Sequence, residues 1–256
     1  MEPGEHERMA AAEERHWWYR GLRDVLARCL SHPDLAVLPG SRVLDAGCGT
    51  GANLRMLEEL LRPSYLGGFD TSPQALRIAR SRGGGADLYE GDICDPEIHV
   101  DELDLVLSLD VIYIPGAERA RGGLRRIVDR LRRGGLVVFN LPAYDWLYSE
   151  HDLAIHTRER YTTRRVAGLL DDFDLAVERL TYRVFFPFPL IVLARLPGML
   201  RVRRGRAAPR SDLARRRGGG VLDALLFRAL RLENGWIARG GRLPWGSSVF
   251  AVGRKV

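Results

Sequence analysis

Two patterns of hydrophobic residues alternate along most of the chain. Short, nearly continuous apolar runs predict buried strands, and apolar residues spaced three and four apart predict helices between them. From about residue 41 to 182, this alternation predicts a parallel sheet with helices on both faces. The predicted strands are 42–46, 65–70, 86–91, 103–109, 136–141, 175–184 and 247–254.

Local signals mark the ends of several predicted helices. Ser72 can cap the free amides of a helix whose first turn accepts Pro73 without losing a hydrogen bond. An apolar stripe over 124–131 predicts a further helix, and we expect Gly134 and Gly135 to end it before the next strand. The other predicted helices are a stripe over 54–61 and a segment over 162–172.

About sixty residues separate the last two predicted strands. This insertion, residues 184–244, starts with the apolar run VFFPFPLIVLARLPGML, which three prolines and Arg195 interrupt, so that an ordinary membrane span is not expected. Eight arginines and one acid then lie between Arg201 and Arg217. We expect 184–217 to form either a lid or dimer surface, or a peripheral contact with an anionic membrane.

Composition sets only general limits on the class of protein. A chain of 256 residues with 46% hydrophobic content can bury one elaborated core. Cys29, Cys48 and Cys94 have no paired spacing, which argues against a disulfide framework or a metal site and fits a reducing cytoplasm. The polar N-terminus lacks the apolar run of a secretory signal. The formal charge of +6 leaves an anionic partner open.

The stretch VLDAGCGTGANL, residues 43–54, joins a predicted strand to a predicted helix through three glycines. Glycine at such a bend lets backbone amides approach a ligand closely. The spacing G-x-G-x-x-A also fits a dinucleotide site, although this signal is weak alone. Asp45 precedes the glycines, where a carboxylate would repel a pyrophosphate but suit the ammonium and sulfonium of S-adenosylmethionine (SAM).

The motif VLDAGCGTG, followed by acids after the next two strands, resembles the class I SAM-dependent methyltransferases over about 41–182 and the final strand. The resemblance implies a Rossmann-like α/β fold with a seven-stranded sheet, mostly parallel and with an antiparallel last strand. We therefore divide the chain into four expected parts. They are an N-terminal helical cap over the cofactor at 1–40, a SAM-binding core at 41–183, a helical insertion at 184–244 and the final core strand at 245–256.

The family resemblance also implies roles for residues at the strand ends. The glycines would shape the pocket for methionine and ribose, Asp70 would hold the ribose hydroxyls, and Asp92 with Ile93 would frame the adenine. The predicted cofactor-binding residues are Asp45, Gly47, Cys48, Gly49, Gly51, Asp70, Thr71, Asp92, Ile93 and Leu109. Simpler roles stay open: Asp45 as an acceptor for turn amides, Asp70 as a helix cap, and Asp92 as a turn residue.

Two further stretches, HWWYRGLRDVL at 16–26 and HDLAIHTRERYT at 151–162, resemble a bacterial subfamily of these methyltransferases. Trp17, Trp18 and Tyr19 are suited either to covering the cofactor or to packing against the sheet edge. The two roles are compatible with each other.

The second of these stretches follows the fifth predicted strand, at the edge where open α/β sheets bind ligands. His151 with Asp152, or His156 with Tyr161, could accept a proton from a substrate hydroxyl or amine. Relatives often carry a histidine where this chain has SLDVIYIPG, so Tyr113 is expected to line the site instead. The predicted catalytic residues, His151, His156 and Tyr113, rank below the cofactor residues because positioning supplies most of the rate of methyl transfer.

These features predict an enzyme that transfers a methyl group from SAM to a small-molecule or lipid-linked acceptor, with oxygen preferred over nitrogen or carbon, and releases S-adenosylhomocysteine. The basic balance and NLPAY at 140–144 leave a nucleic-acid methyltransferase open, although the arginines lack interleaved aromatics for base stacking. The absent histidine leaves a non-catalytic SAM-binding protein open. We expect a cytoplasmic protein, with peripheral membrane contact or a homodimer formed through 184–217.

Overall fold

The computed structural model describes residues 5–209 and 220–256, in which seven strands form one sheet. The strands are β1 (Arg42–Ala46), β2 (Tyr65–Asp70), β3 (Asp87–Glu90), β4 (Leu103–Leu109), β5 (Leu131–Pro142), β6 (Leu175–Arg183) and β7 (Ser248–Lys255). Their order is β3-β2-β1-β4-β5-β7-β6, and β7 runs antiparallel to the other described strands, pairing with β5 and β6. The predicted seven-stranded, mostly parallel sheet with an antiparallel last strand is confirmed.

Helices connect these strands and cover both faces of the sheet. They are α1 (Glu5–Arg15), α2 (Trp17–Leu30), α3 (Ala52–Leu61), α4 (Pro73–Ser81), α5 (Ala117–Asp129), a short 3-10 helix η1 (Asp145–Leu147), α6 (Glu150–Ala154), α7 (Thr163–Asp172), α8 (Phe188–Arg203) and α9 (Val221–Ala238). The predicted start of α4 is confirmed, because Ser72 Oγ accepts the N–H of Ala75 at 3.2 Å and Pro73 lies in the first turn.

The boundary between α5 and β5 differs from the prediction. Helix α5 ends at Asp129, and β5 begins at Leu131, which pairs with Leu103 of β4. Gly134 and Gly135 therefore lie inside the strand, where the φ of +80° at Gly134 accompanies a shift in register with β4. Apolar spacing could not separate the two elements, because Leu131 is buried in the same core as the helical stripe before it.

The sheet is buried on both faces because neighbouring residues of its central strands point to opposite layers. Leu44 and Ala46 of β1 join the core formed with α5 and α7, whereas Val43 joins the core formed with α2, α3 and α9. Burying one such aliphatic side chain stabilises the folded state by about 1.5–3 kcal/mol. Polar side chains are consequently left to gather at the strand ends rather than on the faces.

Helix α9 of the insertion packs directly against α2. A Cβ on Gly21 would lie 2.2 Å from Leu230 Cδ1, so glycine at that position lets Leu230 pack directly on the α2 backbone. The fully buried Asn234 donates from Nδ2 to the carbonyl of Gly21 and to the carboxylate of Asp24, both at 2.9 Å. The N-terminal segment and the insertion are therefore joined on one face of the sheet.

Helix α8 begins after a strained connection. Val184 has a φ of +63°, a region that β-branched residues avoid. The buried carboxylate of Glu233 in α9 accepts the N–H groups of Val184 at 2.6 Å, Phe185 at 2.8 Å and Phe186 at 3.3 Å. From this connection α8 extends to contact η1 and α6, beyond the end of β5. Among the helices of the described residues, none is both long and apolar enough to cross a membrane.

Candidate active site

The glycine bend after β1 needs backbone conformations that other residues rarely adopt. Gly47, Gly49 and Gly51 have φ values of +92°, +54° and +82°. A Cβ on Gly47 would also lie 2.3 Å from Val111 Cγ2, so the turn after β4 closes against the bend. The amides of Gly47 and Cys48 both donate to the carbonyl of Phe69 at 2.9 Å, which fixes the bend to the end of β2.

Asp45 lies beneath this bend with a buried, unsatisfied carboxylate. The residue is 1% exposed, and neither carboxylate oxygen has a hydrogen-bond partner among the described residues. Burial, followed by the charge of Asp70, raises the pKa of Asp45 to about 7. The turn amides therefore do not account for this acid, and the carboxylate is available to a cationic ligand.

Asp70 ends β2 and organises the turns on both sides of it. Its Oδ2 accepts the N–H of Gly49 at 3.0 Å, and its Oδ1 accepts the N–H of Ser72 at 2.9 Å. Each oxygen keeps a further lone pair for another donor. Thr71, between these contacts, is exposed.

Asp92 follows β3 and is exposed, with Oδ1 accepting the N–H of Cys94 at 2.9 Å. This bond is the turn role that the sequence left open, and it leaves Oδ2 for another donor. Ile93 beside it is buried in the core, where a Cβ on Gly123 of α5 would lie 1.9 Å from the Ile93 carbonyl oxygen. Cys48 and Leu109 are buried in the opposite layer, and burial raises the pKa of the Cys48 thiol.

Helix α1 is fixed beside the bend by a buried polar contact. Thr50 Oγ1 donates to Glu13 Oε2 at 2.5 Å, and Arg82 Nη2 pairs with the same oxygen at 2.5 Å. Burial raises the pKa of Glu13, although both partners oppose the shift. Met9 of α1 supplies the nearest atom, at 3.9 Å, to a Cβ built on Gly49. The N-terminal helix thus lies next to the predicted cofactor loop.

A second polar cluster joins the ends of three strands, and sequence reasoning missed it. Asp110 follows β4 with a φ of +57°, and burial raises its pKa to about 7. Asn140 of β5 donates from Nδ2 to Asp110 Oδ2 at 2.8 Å. Arg183 of β6 donates from Nη1 to Asn140 Oδ1 at 3.2 Å. The available signal was the position of each polar residue near the carboxyl end of a predicted strand.

Arg183 ties this cluster to α2. The guanidinium is fully buried, and burial lowers its pKa to about 10. It lies 5.5 Å from the ring centroid of Trp18 and donates from Nη2 to the Trp18 carbonyl at 3.4 Å. Trp17 packs against Val184 and Leu230, and Trp18 also contacts this apolar cluster. Both tryptophans therefore face the insertion, and Trp18 joins it to the polar cluster.

The acids and hydroxyls near the predicted histidines have other partners. Asp152 is fully buried, with Oδ1 accepting from Arg160 Nε at 2.9 Å and Oδ2 accepting the N–H of Ser149 at 2.9 Å. The hydroxyl of Tyr161 donates to Glu159 at 3.1 Å rather than to His156. The exposed His156 has a φ of +58°. His151 is partly buried in α6.

Tyr113 is 7% exposed, and its ring belongs to the core between the sheet, α5 and α7. Burial raises the pKa of its hydroxyl. Its carbonyl accepts the N–H groups of Arg158 at 3.0 Å and Glu159 at 3.3 Å. The backbone of Tyr113 thereby anchors the segment that contains the histidines.

A sheet with this strand order, a glycine bend after β1 and carboxylates at the strand ends defines the class I SAM-dependent methyltransferase fold. Residues 43–135 match the family described as "Methyltransferase domain". This match and the fold together support a SAM-dependent methyltransferase, with SAM as the cofactor.

Known proteins are similar to this chain over segments of different length. Nodulation protein S of Azorhizobium caulinodans is 28% identical over 153 residues, which cover 55% of this chain and 72% of that protein. Magnesium-protoporphyrin O-methyltransferase of Rhodobacter capsulatus is 38% identical over 82 residues, 30% of this chain and 35% of that protein. A Haloferax volcanii chain solved in complex with the Trm112 methyltransferase activator superposes with a TM-score of 0.62 at 21% identity, over 97% of this chain and 93% of that chain. This last likeness concerns the fold alone.

Proposed function

We propose that this methyltransferase holds SAM between Asp45, Asp70 and Asp92 and methylates an oxygen of a small-molecule or lipid-linked acceptor beside Asp110. The observation that carries the proposal is the buried carboxylate of Asp45, which lacks a hydrogen-bond partner in the described residues and lies at a glycine bend. A cationic nucleoside satisfies such a carboxylate, whereas a diphosphate would be repelled by it.

SAM fits the residues around the bend. Bound there, it supplies a methyl group that is already activated for an in-line displacement. Asp45 offers its charge to the cationic end of the cofactor, and Asp70 keeps lone pairs for two ribose hydroxyls while holding the bend in place. Asp92 and Ile93 are proposed to frame the adenine, with α1 as the cap over the cofactor.

Asp110 is our proposed general base for an acceptor that arrives protonated. A pKa of about 7 suits proton transfer near neutral pH, because the carboxylate is then available and still basic enough to accept the proton. The bond from Asn140 orients one carboxylate oxygen. Val111, next in sequence, closes against Gly47, which keeps this acid near the donor. His151 and His156 are proposed to line the acceptor side rather than to act as the base.

An aromatic wall beyond β5 supports an acceptor with an apolar body. The ring of Tyr144 stacks on Tyr182 at 4.9 Å and on Trp146 at 5.6 Å, and Phe188 of α8 lies 6.0 Å away. Flat or aliphatic molecules pack well against such a surface. We prefer oxygen as the acceptor atom for two reasons. Asp110 is the proposed base for a protonated acceptor, and the Rhodobacter relative is named as an O-methyltransferase.

The nucleic-acid alternative is weaker. Asn140 of NLPAY is fully buried and bonded to Asp110 and Arg183, so it does not face outward to receive a base. Much of the arginine-rich stretch, from Arg210 to Arg217, lies outside the described residues. A salt-dependent shift of RNA or DNA with the purified chain would revive this alternative.

The direct test uses labelled SAM and a panel of hydroxyl and carboxyl acceptors that have apolar bodies. Asp110→Asn should bind S-adenosylhomocysteine with unchanged calorimetric affinity and lose turnover by about 100-fold or more. Asparagine tolerates the left-handed backbone of that position, so the variant should fold. His156→Gln, the matched variant on the exposed side, should keep most of its turnover.

Full turnover by Asp110→Asn with loss in His151→Gln would move the base to the histidine segment. Cofactor binding with no transfer to any acceptor would favour a SAM-binding protein without turnover.

A further inference from the structure

The outward side of α8 is apolar along most of its length. The exposed large apolar side chains of this row are Phe186, Leu190, Leu193, Leu196 and Leu200. The spacing of three and four residues places the four leucines on one side of the helix, and Phe186 lies two residues before the helix begins. A surface helix ordinarily turns its apolar stripe inward and its charges toward water. Over this row α8 does the reverse, because Arg195, the charged residue between Phe186 and Leu200, is partly buried while the leucines are exposed.

Cations follow the apolar row directly. Arg203, Arg204 and Arg206 are exposed at the end of α8 and just beyond it. Residues 184–209 contain no aspartate or glutamate, so this segment offers positive charge without internal compensation. We call the five apolar side chains and these three arginines the α8 face.

We propose that the α8 face docks on an anionic lipid bilayer, with the helix lying in the plane of the interface. Its 16 residues extend about 24 Å, and a helix lying flat at this depth buries its apolar side chains at the boundary between headgroups and acyl chains. Arginines at the same level attract lipid phosphates. A second copy of this face would bring further arginines and no carboxylate, so charge complementarity favours lipid over self-association.

The docked face lies beside the aromatic wall. Arg201 of α8 pairs with Glu150 of α6 through two bonds of 2.7 and 2.6 Å, and the ring of Phe188 lies 6.0 Å from Tyr144 and 6.1 Å from Trp146. A lipid-linked acceptor could therefore pass from the bilayer to the wall without crossing bulk water. This last step rests on the proposed function, whereas docking itself does not.

Flotation with vesicles of phosphatidylcholine, with and without phosphatidylglycerol, tests the docking. The full chain should float with the anionic vesicles, and added salt should weaken the association. Leu193→Glu should reduce it by about tenfold or more, since it removes one buried leucine and adds a repelled charge. Leu38→Glu is the matched control, because Leu38 is 70% exposed, against 67% for Leu193, and precedes β1, at the end of the parallel strands opposite to η1 and α6. This control should bind vesicles like the unmodified chain.

Calorimetry with S-adenosylhomocysteine on the same samples verifies that both variants are folded. Absence of flotation for the unmodified chain, or equal loss in both variants, would overturn the proposal. So would a dimer in sedimentation that Leu193→Glu dissociates while vesicles bind none of the proteins. Vesicle binding with no methyl transfer to any acceptor would instead reject the proposed function and leave the docking intact.

Discussion

Replacing Asp45 with asparagine should stabilise the protein without cofactor at alkaline pH and weaken its hold on SAM. One carboxylate causes both effects. Its charge is unfavourable in the free protein but attracts the cationic cofactor. Its oxygens lack hydrogen-bond partners within the described chain, so ionisation is unfavourable until a cation arrives. Asparagine has nearly the same shape and cannot ionise.

The magnitude follows from the pKa of Asp45, which is about 7 in the folded chain against an ordinary value of 3.8. The folded state therefore binds the proton more tightly than the unfolded state. This contribution to stability is present below about pH 4 and is lost as the pH rises to about 7, by about 4 kcal/mol in total at 1.36 kcal/mol per pH unit. Asp45→Asn should not show this loss.

Chemical denaturation at pH 5 and pH 8 measures the difference. The gain of Asp45→Asn over the unmodified chain should be larger at pH 8, since Asp110 and the other acids remain in both proteins and cancel. Glu118→Gln, an exposed acid on α5 at 85% side-chain exposure, serves as the control and should leave the pH dependence unchanged. Calorimetry should show SAM binding weakened about tenfold to a hundredfold. An identical pH dependence with unaltered SAM affinity would refute this account of the bend.

Three further variants test other parts of the structure. Asp70→Ala should weaken SAM binding by about 1–3 kcal/mol in calorimetry, and unchanged affinity would refute the ribose role. Arg160→Met should lower the free energy of unfolding by about 3–5 kcal/mol, because it removes the cation that pairs directly with the buried Asp152; a loss below about 1 kcal/mol in urea titration would show that the pair matters little. Glu233→Gln should lower the free energy of unfolding by about 1–3 kcal/mol in the same titration, because an amide group cannot accept all three N–H groups of residues 184–186. An unchanged urea midpoint would contradict this role.

Local patterns were enough to predict the strands and the bend, whereas the antiparallel direction of the last strand was implied by the family resemblance. Buried parallel strands are short apolar runs, and a glycine bend can be read from adjacent residues, so β1, β4 and Gly47 followed from the sequence. The boundary at Leu131 did not, because one apolar residue fits either the end of a helical stripe or the start of a strand. Periodicity carries no information that separates these cases.

The cluster of Asp110, Asn140 and Arg183 could not be predicted because its members come from three strands that the sheet order brings together. The side-chain partner of Tyr161 also differs from the prediction. Proximity in sequence suggested that Tyr161 serves His156, but the folded segment turns its hydroxyl to Glu159 instead. Side-chain partners within a loop depend on backbone directions that spacing alone does not fix.

The contacts of α9 have a consequence for how such chains can be recombined. Asn234 on one side of this helix binds α2, and Glu233 beside it holds the first residues leading into α8. If only 184–244 were exchanged between two relatives, the transferred α9 would no longer meet the α2 that it packs against in its own parent, including the glycine at position 21. Successful chimeras should therefore carry both segments from the same parent, and natural variation in one should be matched by variation in the other.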